Sequence, residues 1–215
     1  PDPQLVAVRN ALYGVLPEFS NLTVRRNPLR MEIEKQGQIL TVNQLSDGEK
    51  CLIAMVSDLA RRMAIANPAA DNPLAGEGIV LIDEIDLHLH PKWQRRIVPK
   101  LLEVFPNCQF LVATHSPHVL THVKPKNIFL LEWEACNITA QKPSESYGKN
   151  VDRILEDLMG LETTRPTQVS AELHGVYTMI ERNHLEEARQ EIAHIKQEFG
   201  EDPDLVRAEV LIKRK

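Results

Sequence analysis

The sequence predicts an α/β fold: a partial parallel sheet, an antiparallel β element ahead of it and a helical tail behind it. Three observations predict this. Gly78-Ile79-Val80-Leu81-Ile82, in which four of five residues are branched aliphatics, is an unbroken apolar run of strand length, the pattern of a strand covered on both faces. Phe110 to Ala113 repeats that pattern after a helical stretch. Upstream, Leu29, Met31 and Ile33 alternate with charged residues, whereas the chain beyond residue 140 turns to helical spacing.

Taken in order, Leu5, Val8, Leu12 and Val15 recur at helical spacing and stop at Pro17, predicting an amphipathic helix over residues 3–16. Strands are expected near Leu22 to Val24, through Leu29 to Ile33, and from Ile39 to Val42 after a turn at Gln36-Gly37, with one apolar face. Gln44-Leu45-Ser46-Asp47-Gly48-Glu49-Lys50 then leads into a stripe of Leu52, Met55, Val56, Leu59 and Met63. Ser46 and Glu49 have the spacing of a capping box, so a helix starts at Ser46. Asn67 to Gly78, with two Pro and two Gly, is a surface loop feeding the central strand.

Beyond that strand, Pro91 is suited to the first position of a helix carrying Trp93, Ile97, Leu101, Leu102 and Phe105. Pro99 falls inside the pattern and is expected to kink or split it. After Phe110 to Ala113 come strands near Asn127 to Glu132 and Asn137 to Thr139, and a polar loop through Ser146-Tyr147-Gly148. A helix begins at Ile154, Leu155 and Leu158, and three more run over Val169 to Met179, Leu185 to Phe199 and Leu205 to Ile212. Glu186-Glu187-Ala188-Arg189 has the character of a helical-repeat hairpin, in one copy. Two regions are expected, residues 1–140 and a helical tail over 141–215 for packing or subunit contact.

Composition bounds the chemistry. With 215 residues, 43% hydrophobic and 26% charged, the chain has the make-up of an ordinary water-soluble domain with a smaller appendage. A net charge of -5 and a pI near 5.9 provide no general basic field, so charge does not indicate DNA, although a local basic patch is compatible with the average. Cys51, Cys108 and Cys136 lack C-x-x-C spacing, which suits reduced thiols and, with no apolar run near the ~20 residues that span a bilayer, a cytoplasmic protein without a membrane partner. The chain opens on Pro1-Asp2-Pro3 with no Met, and is expected to be a fragment, a processed product or a trimmed chain.

Two stretches carry chemistry. Asp83 and Glu84 follow the apolar strand where ligands sit in open α/β sheets, beyond the strands' carboxyl ends. An apolar strand ending in Asp-Glu is the Walker B pattern of a nucleotide hydrolase: the Asp holds Mg²⁺ through its water shell and the Glu orients or deprotonates the attacking water. The blander reading is a pair of helix-capping acids. The helix start at Ser46, with Gly48 in its first turn, suits an anion such as a terminal phosphate; the blander reading there is a well-capped helix. His88 and His90, and His115, His118 and His122, invite a zinc reading but lack three or four ligands at defined offsets.

Leu45-Ser46-Asp47-Gly48-Glu49 resembles the signature motif of ABC-type ATPases, and Ile82-Asp83-Glu84-Ile85-Asp86-Leu87-His88-Leu89-His90-Pro91 resembles their Walker B and D-loop. His115 at the end of the next strand resembles the switch histidine of the H-loop. The resemblance implies a P-loop NTPase-like fold and the cofactors ATP and Mg²⁺. Glu84 and His115 would be catalytic, Asp83 would hold Mg²⁺ through water, and Leu45, Ser46, Asp47, Gly48, Glu49 and Asp86 would contact nucleotide across a head-to-tail dimer. The D-loop, with Trp93 and Gln94 just after it, resembles the RecF/SMC/OLD-like branch over residues 20–135 rather than transporter subunits. A short helical tail directly after the switch histidine, with no Toprim-like or H-N-H pattern, resembles Septu-type PtuA ATPases, including those associated with retrons, which implies a separate nuclease subunit.

The phosphate-binding loop G-x-x-x-x-G-K-[ST] does not occur; Gly148-Lys149 is the one Gly-Lys pair and is followed by Asn150. The expected entity is the C-terminal lobe of an ATPase, completed by a Walker A lobe in the same or a companion chain and inactive alone. Two alternatives are a non-hydrolysing lobe kept for assembly or regulation and, disfavoured by the D-loop, a transporter subunit.

Overall fold

The computed structural model describes residues 2–134 and 136–214 and divides the chain into two compact units, Pro1–Ile154 and Leu155–Lys215. In the first unit, α1 (Pro3–Val15) is capped by Asp2, whose carboxylate accepts the Gln4 N–H at 2.9 Å, and buries Ala7, Ala11, Leu12 and Val15. A three-stranded antiparallel sheet follows, β1 (Phe19–Arg26), β2 (Leu29–Lys35) and β3 (Gln38–Thr41), paired in that order. Between Ser20 and Thr23 the register of β1 slips around Asn21, whose φ of 51° bends the strand. Phe19, Leu22 and Ile33 are buried, whereas Leu29, Met31 and Ile39 are exposed, so the expected apolar face is covered at one end only.

α2 (Asp47–Ala66) packs along α1 and buries Leu52, Ile53, Val56, Ala60, Met63 and Ala64. Fully buried aliphatic side chains of this kind each contribute roughly 1.5–3 kcal/mol, which holds the helices on one core. β4 (Gly78–Ile82) and β5 (Cys108–Val112) pair in parallel, Gly78 opposite Cys108 through Ile82 opposite Val112. α3 (Pro91–Val104) connects them, a right-sized crossover for a parallel pair.

Two expectations need correction. The central strand is not covered on both faces: Val80, Ile82, Phe110 and Val112 pack on the core, but Ile79 is 69% exposed, Leu81 77% and Leu111 49%. Alternate residues of a strand point to opposite faces, and the described residues supply packing for one of them. Nor does Pro99 split its helix, because it lies on the exposed side of α3, where the carbonyl that loses its partner can be hydrated.

After α4 (Pro117–Leu120), β6 (Leu130–Glu134) and β7 (Asn137–Gln141) form an antiparallel hairpin with Trp133 opposite Ile138, both exposed. α5 (Val151–Asp157) spans the division between the units. The second unit holds α6 (Thr167–Glu181), α7 (Leu185–Phe199) and α8 (Pro203–Arg214) around a separate core that includes Val176, Ala188, Ile192, Ile195, Leu205 and Ala208. α7 ends at Gly200 with φ 88°, a conformation open to glycine. Within this unit Arg165 binds Asp202 at 3.0 Å and Asp204 at 2.7 Å, fixing the turn before α8.

Candidate functional site

The parallel pairing of β4 and β5 carries on past both strands: the Ala113 N–H donates to the Ile82 carbonyl at 2.9 Å and the Ile85 N–H to the Ala113 carbonyl at 3.1 Å. Asp83-Glu84 and Thr114-His115 therefore leave the sheet side by side at one edge. Asp83, Glu84 and His115 are exposed, and none makes a side-chain hydrogen bond or ion pair with a described residue. Glu84 sits at φ 47° and His88 at φ 59°. Left-handed backbone costs a non-glycine residue roughly 1–2 kcal/mol, so the surrounding turn must hold it. Ile85 and Leu89 do so by burial, and the Leu87 and Leu89 amides donate to the Glu84 and Asp86 carbonyls at 2.9 and 3.0 Å.

Asp86 is not free in the same sense. Its carboxylate accepts the Thr114 hydroxyl, tying the turn after β4 to the turn after β5. The Gln94 amide, from the first turn of α3, donates to the carbonyls of Leu89 at 2.9 Å and Asp86 at 3.3 Å, while its oxygen accepts the buried Ser116 hydroxyl at 2.7 Å.

The helix start behaves as the capping box requires. Ser46 Oγ accepts the Glu49 N–H at 3.4 Å, and Glu49 accepts the Ser46 N–H and hydroxyl at 2.9 Å each. Glu49 is nearly buried and also holds Lys35 of β2. Burial pushes the Glu49 carboxyl up, but the Lys35 ammonium and the Ser46 donors outweigh it and bring its pKa below the ordinary value of 4.5. Leu45 is buried beneath the motif, whereas Ser46 and Asp47 face solvent, Asp47 3.2 Å from Lys50.

Gly48 joins the motifs. A Cβ there would lie 2.3 Å from the His88 carbonyl oxygen, so the first turn of α2 rests on the turn after β4. Residues 45–49, 83–90 and 113–116 thus form one continuous run of contacts. The open space that Gly48 leaves in the first turn of α2 is on this side taken by the chain's own backbone.

Lys35, Thr114 and Ser116 were not singled out by the sequence, and Gln94 only as part of a motif. Lys35 gave no local signal, since its partner is on another element. Among the histidines, His90 caps α3 by accepting the Lys92 N–H at 3.1 Å. His118, lowered in pKa by burial and by Arg95, takes the Arg95 Nε–H at 3.4 Å. Among described residues no three His, Cys, Asp or Glu converge as a metal site. Asp83, exposed and unpaired, suits a hydrated divalent cation held through water. Beside the site, Lys92, Arg95, Arg96 and His122 line an open cleft of about 500 Å³ with no acid in its wall, a local basic patch in an acidic chain.

The family described as "AAA domain, putative AbiEii toxin, Type IV TA system" matches residues 4–121, more than half of the chain and all three motif stretches. The chain belongs to this AAA domain family. Its relatives include the "Retron Ec83 probable ATPase" of Escherichia coli, 41% identical over 93% of this chain and 37% of that protein. The "Retron Vc95 probable ATPase" of Vibrio cholerae serotype O1 biovar El Tor is 43% identical over 79% of this chain and 33% of its own length. Septu protein PtuA of Bacillus thuringiensis is 34% identical over 56% of this chain and 32% of its own. The chain thus spans about a third of the length of these curated relatives. Its fold matches a solved chain from "Structural biochemistry of ATP-driven dimerization and DNA stimulated activation of SMC ATPases", with a TM-score of 0.54, 19% identity and coverage of 75% of this chain and 94% of that one. The AAA domain match and the retron and Septu relatives bear out the resemblance to this class of ATPases and to PtuA, and the likeness to the solved chain bears out the P-loop NTPase-like fold expected from it.

Proposed function

We propose that this chain is the signature and Walker B portion of an ATPase that hydrolyses ATP at a head-to-tail dimer interface and switches a separate effector, in DNA-related or anti-phage defence. One observation carries the reading: two adjacent carboxylates and a histidine leave one sheet edge, exposed and with no side-chain hydrogen bond or ion pair among the described residues, beside Asp86, Thr114, Ser116 and Gln94, which pair with one another. Glu84 orients the attacking water and takes its proton, and His115 steadies that water and the terminal phosphate. Asp83 would hold Mg²⁺ through its waters, an ion that supplies charge neutralisation on the phosphates. Ser46 and Gly48, with Leu45, Asp47 and Glu49, present the start of α2 to the nucleotide of the opposite subunit, and Asp86 marks the turn that runs along the dimer seam.

The exposed face of β4 and β5 supports completion by a lobe carrying the missing phosphate loop, since Ile79, Leu81 and Leu111 would be covered by it. The similarity to retron and Septu proteins supports the resemblance from which a defence role with a separate nuclease subunit is expected, and the basic cleft at Lys92, Arg95 and Arg96 supports a nucleic-acid partner. No helix of the described residues is long and apolar enough to cross a membrane, which agrees with a cytoplasmic site of action.

The test uses the complete ATPase, with its phosphate-loop lobe. Glu84→Gln should lower turnover by roughly 10²–10⁴-fold while ATP-bound dimers accumulate in size-exclusion chromatography. Unchanged turnover would remove Glu84 as the base. An inactive parent protein that still dimerises would favour the reading of a lobe kept for assembly.

A further inference from the structure

The polar groups around Asp86 close into a circuit. The Thr114 hydroxyl donates to the Asp86 carboxylate; the Ser116 N–H donates to Thr114 Oγ1 at 3.0 Å; the Ser116 hydroxyl donates to Gln94 Oε1 at 2.7 Å; and Gln94 Nε2 returns to the Asp86 and Leu89 carbonyls. Ser116 Oγ also accepts the His118 N–H at 3.1 Å, starting α4. His115 lies in sequence between two members of this circuit, and Glu84 two residues before a third. Ser116 is 5% exposed, and Asp86, Thr114 and Gln94 are half-buried, so water does not readily replace a lost partner.

We propose that Gln94 is a positioning residue: its side-chain amide clamps the turn carrying Asp83 to Asp86 to the turn carrying His115, so that the two shift as one body. Both ends of the amide are needed. The NH₂ group holds two carbonyls of one turn, and the oxygen holds a hydroxyl of the other, a division of labour that neither a carboxylate nor an aliphatic chain reproduces. Displacement at His115, where the terminal phosphate would be sensed, then reaches Asp86 without crossing the core. The kinetic part of this inference rests on the ATPase reading, whereas the mechanical part does not.

Hydrogen exchange on the 215-residue chain tests the mechanical part. Gln94→Met should speed exchange of the Ile85, Leu87 and Leu89 amides and of the Ser116 and His118 amides together, by about tenfold. Ser116→Ala should do the same, and the double variant should add little to either. Loosening of one turn alone, or additive effects, would overturn the coupling. Gln94→Glu, nearly isosteric, should lose protection in alkaline buffer, where its carboxylate faces two carbonyls, and recover part of it relative to wild type in mildly acidic buffer, where a protonated carboxyl donates again; a flat profile counts against the clamp. In the complete ATPase, Gln94→Met should lower kcat about tenfold or more with KM for ATP nearly unchanged. A raised KM with kcat intact would refute a positioning role. Absence of turnover in wild type as well would refute the nucleotide reading, with the exchange data still deciding the clamp.

Discussion

Gly48 and Glu49, adjacent in the signature turn, do opposite jobs, and each makes a separate prediction. At Gly48 the missing side chain matters, because the atom 2.3 Å from a would-be Cβ is the His88 carbonyl oxygen, part of a backbone already in the left-handed region. Neither partner can swing away as a flexible side chain would. Gly48→Ala should destabilise the chain by about 1–3 kcal/mol, read as a lower urea midpoint, and should release protection at Leu89. At Glu49 the side chain matters, as a carboxylate held by Ser46 and Lys35 with a pKa below 4.5. A carboxyl whose pKa is lower folded than unfolded stabilises the fold above its unfolded value, and that contribution is lost as pH falls through its folded one. Thermal stability of wild type should therefore be level with respect to this group above about pH 4.5 and decline below it. Glu49→Gln should be less stable at neutral pH and lose part of that acid-side slope; an identical slope would show that other carboxylates dominate.

At the level of elements, α2 was legible because its start and its face are both local signals. Ser46 and Glu49 set the cap, Leu52, Val56 and Met63 set the buried stripe, and the helix begins at Asp47 as that pairing requires. Ser46→Ala should lower stability by about 1 kcal/mol in thermal melts, and its effect combined with Glu49→Gln should fall short of the sum, since the two side chains cap each other. β4 was legible in extent for the same reason, but not in environment, because an apolar run on a strand does not say whether this chain or another segment covers Ile79 and Leu81. For Pro99 the sequence pattern left a kink and a split both open, and the split is the one α3 does not show, because whether a freed carbonyl breaks a helix depends on its surroundings, a matter of tertiary packing. The site divides similarly. Asp83, Glu84, Ser46 and His115 announce themselves through motif spacing, whereas Gln94, Thr114, Ser116 and Lys35 matter through partners 14 to 28 positions away in sequence, a distance that no single-sequence pattern records.

For the whole molecule, the two units carry separate cores, and the first leaves uncovered the apolar face of the strand pair that bears its candidate catalytic groups. A two-stranded parallel sheet with one dry face is marginal by itself, so this face has a partner in the working protein if the proposed reading holds. Leu81 separates the two cases. Replacing a buried core Leu costs about 2–5 kcal/mol, but at 77% exposure Leu81→Asn should change the stability of this chain by no more than roughly 0.5 kcal/mol in urea titrations. In the complete ATPase the same substitution should behave as a core defect, lowering the melting temperature and turnover together, because it places an unpaired amide where the phosphate-loop lobe would pack. A complete protein as tolerant of Leu81→Asn as this chain would mean that the face stays in water and that the lobe docks elsewhere, and Asp83, Glu84 and His115 would then have to meet their nucleotide by another arrangement.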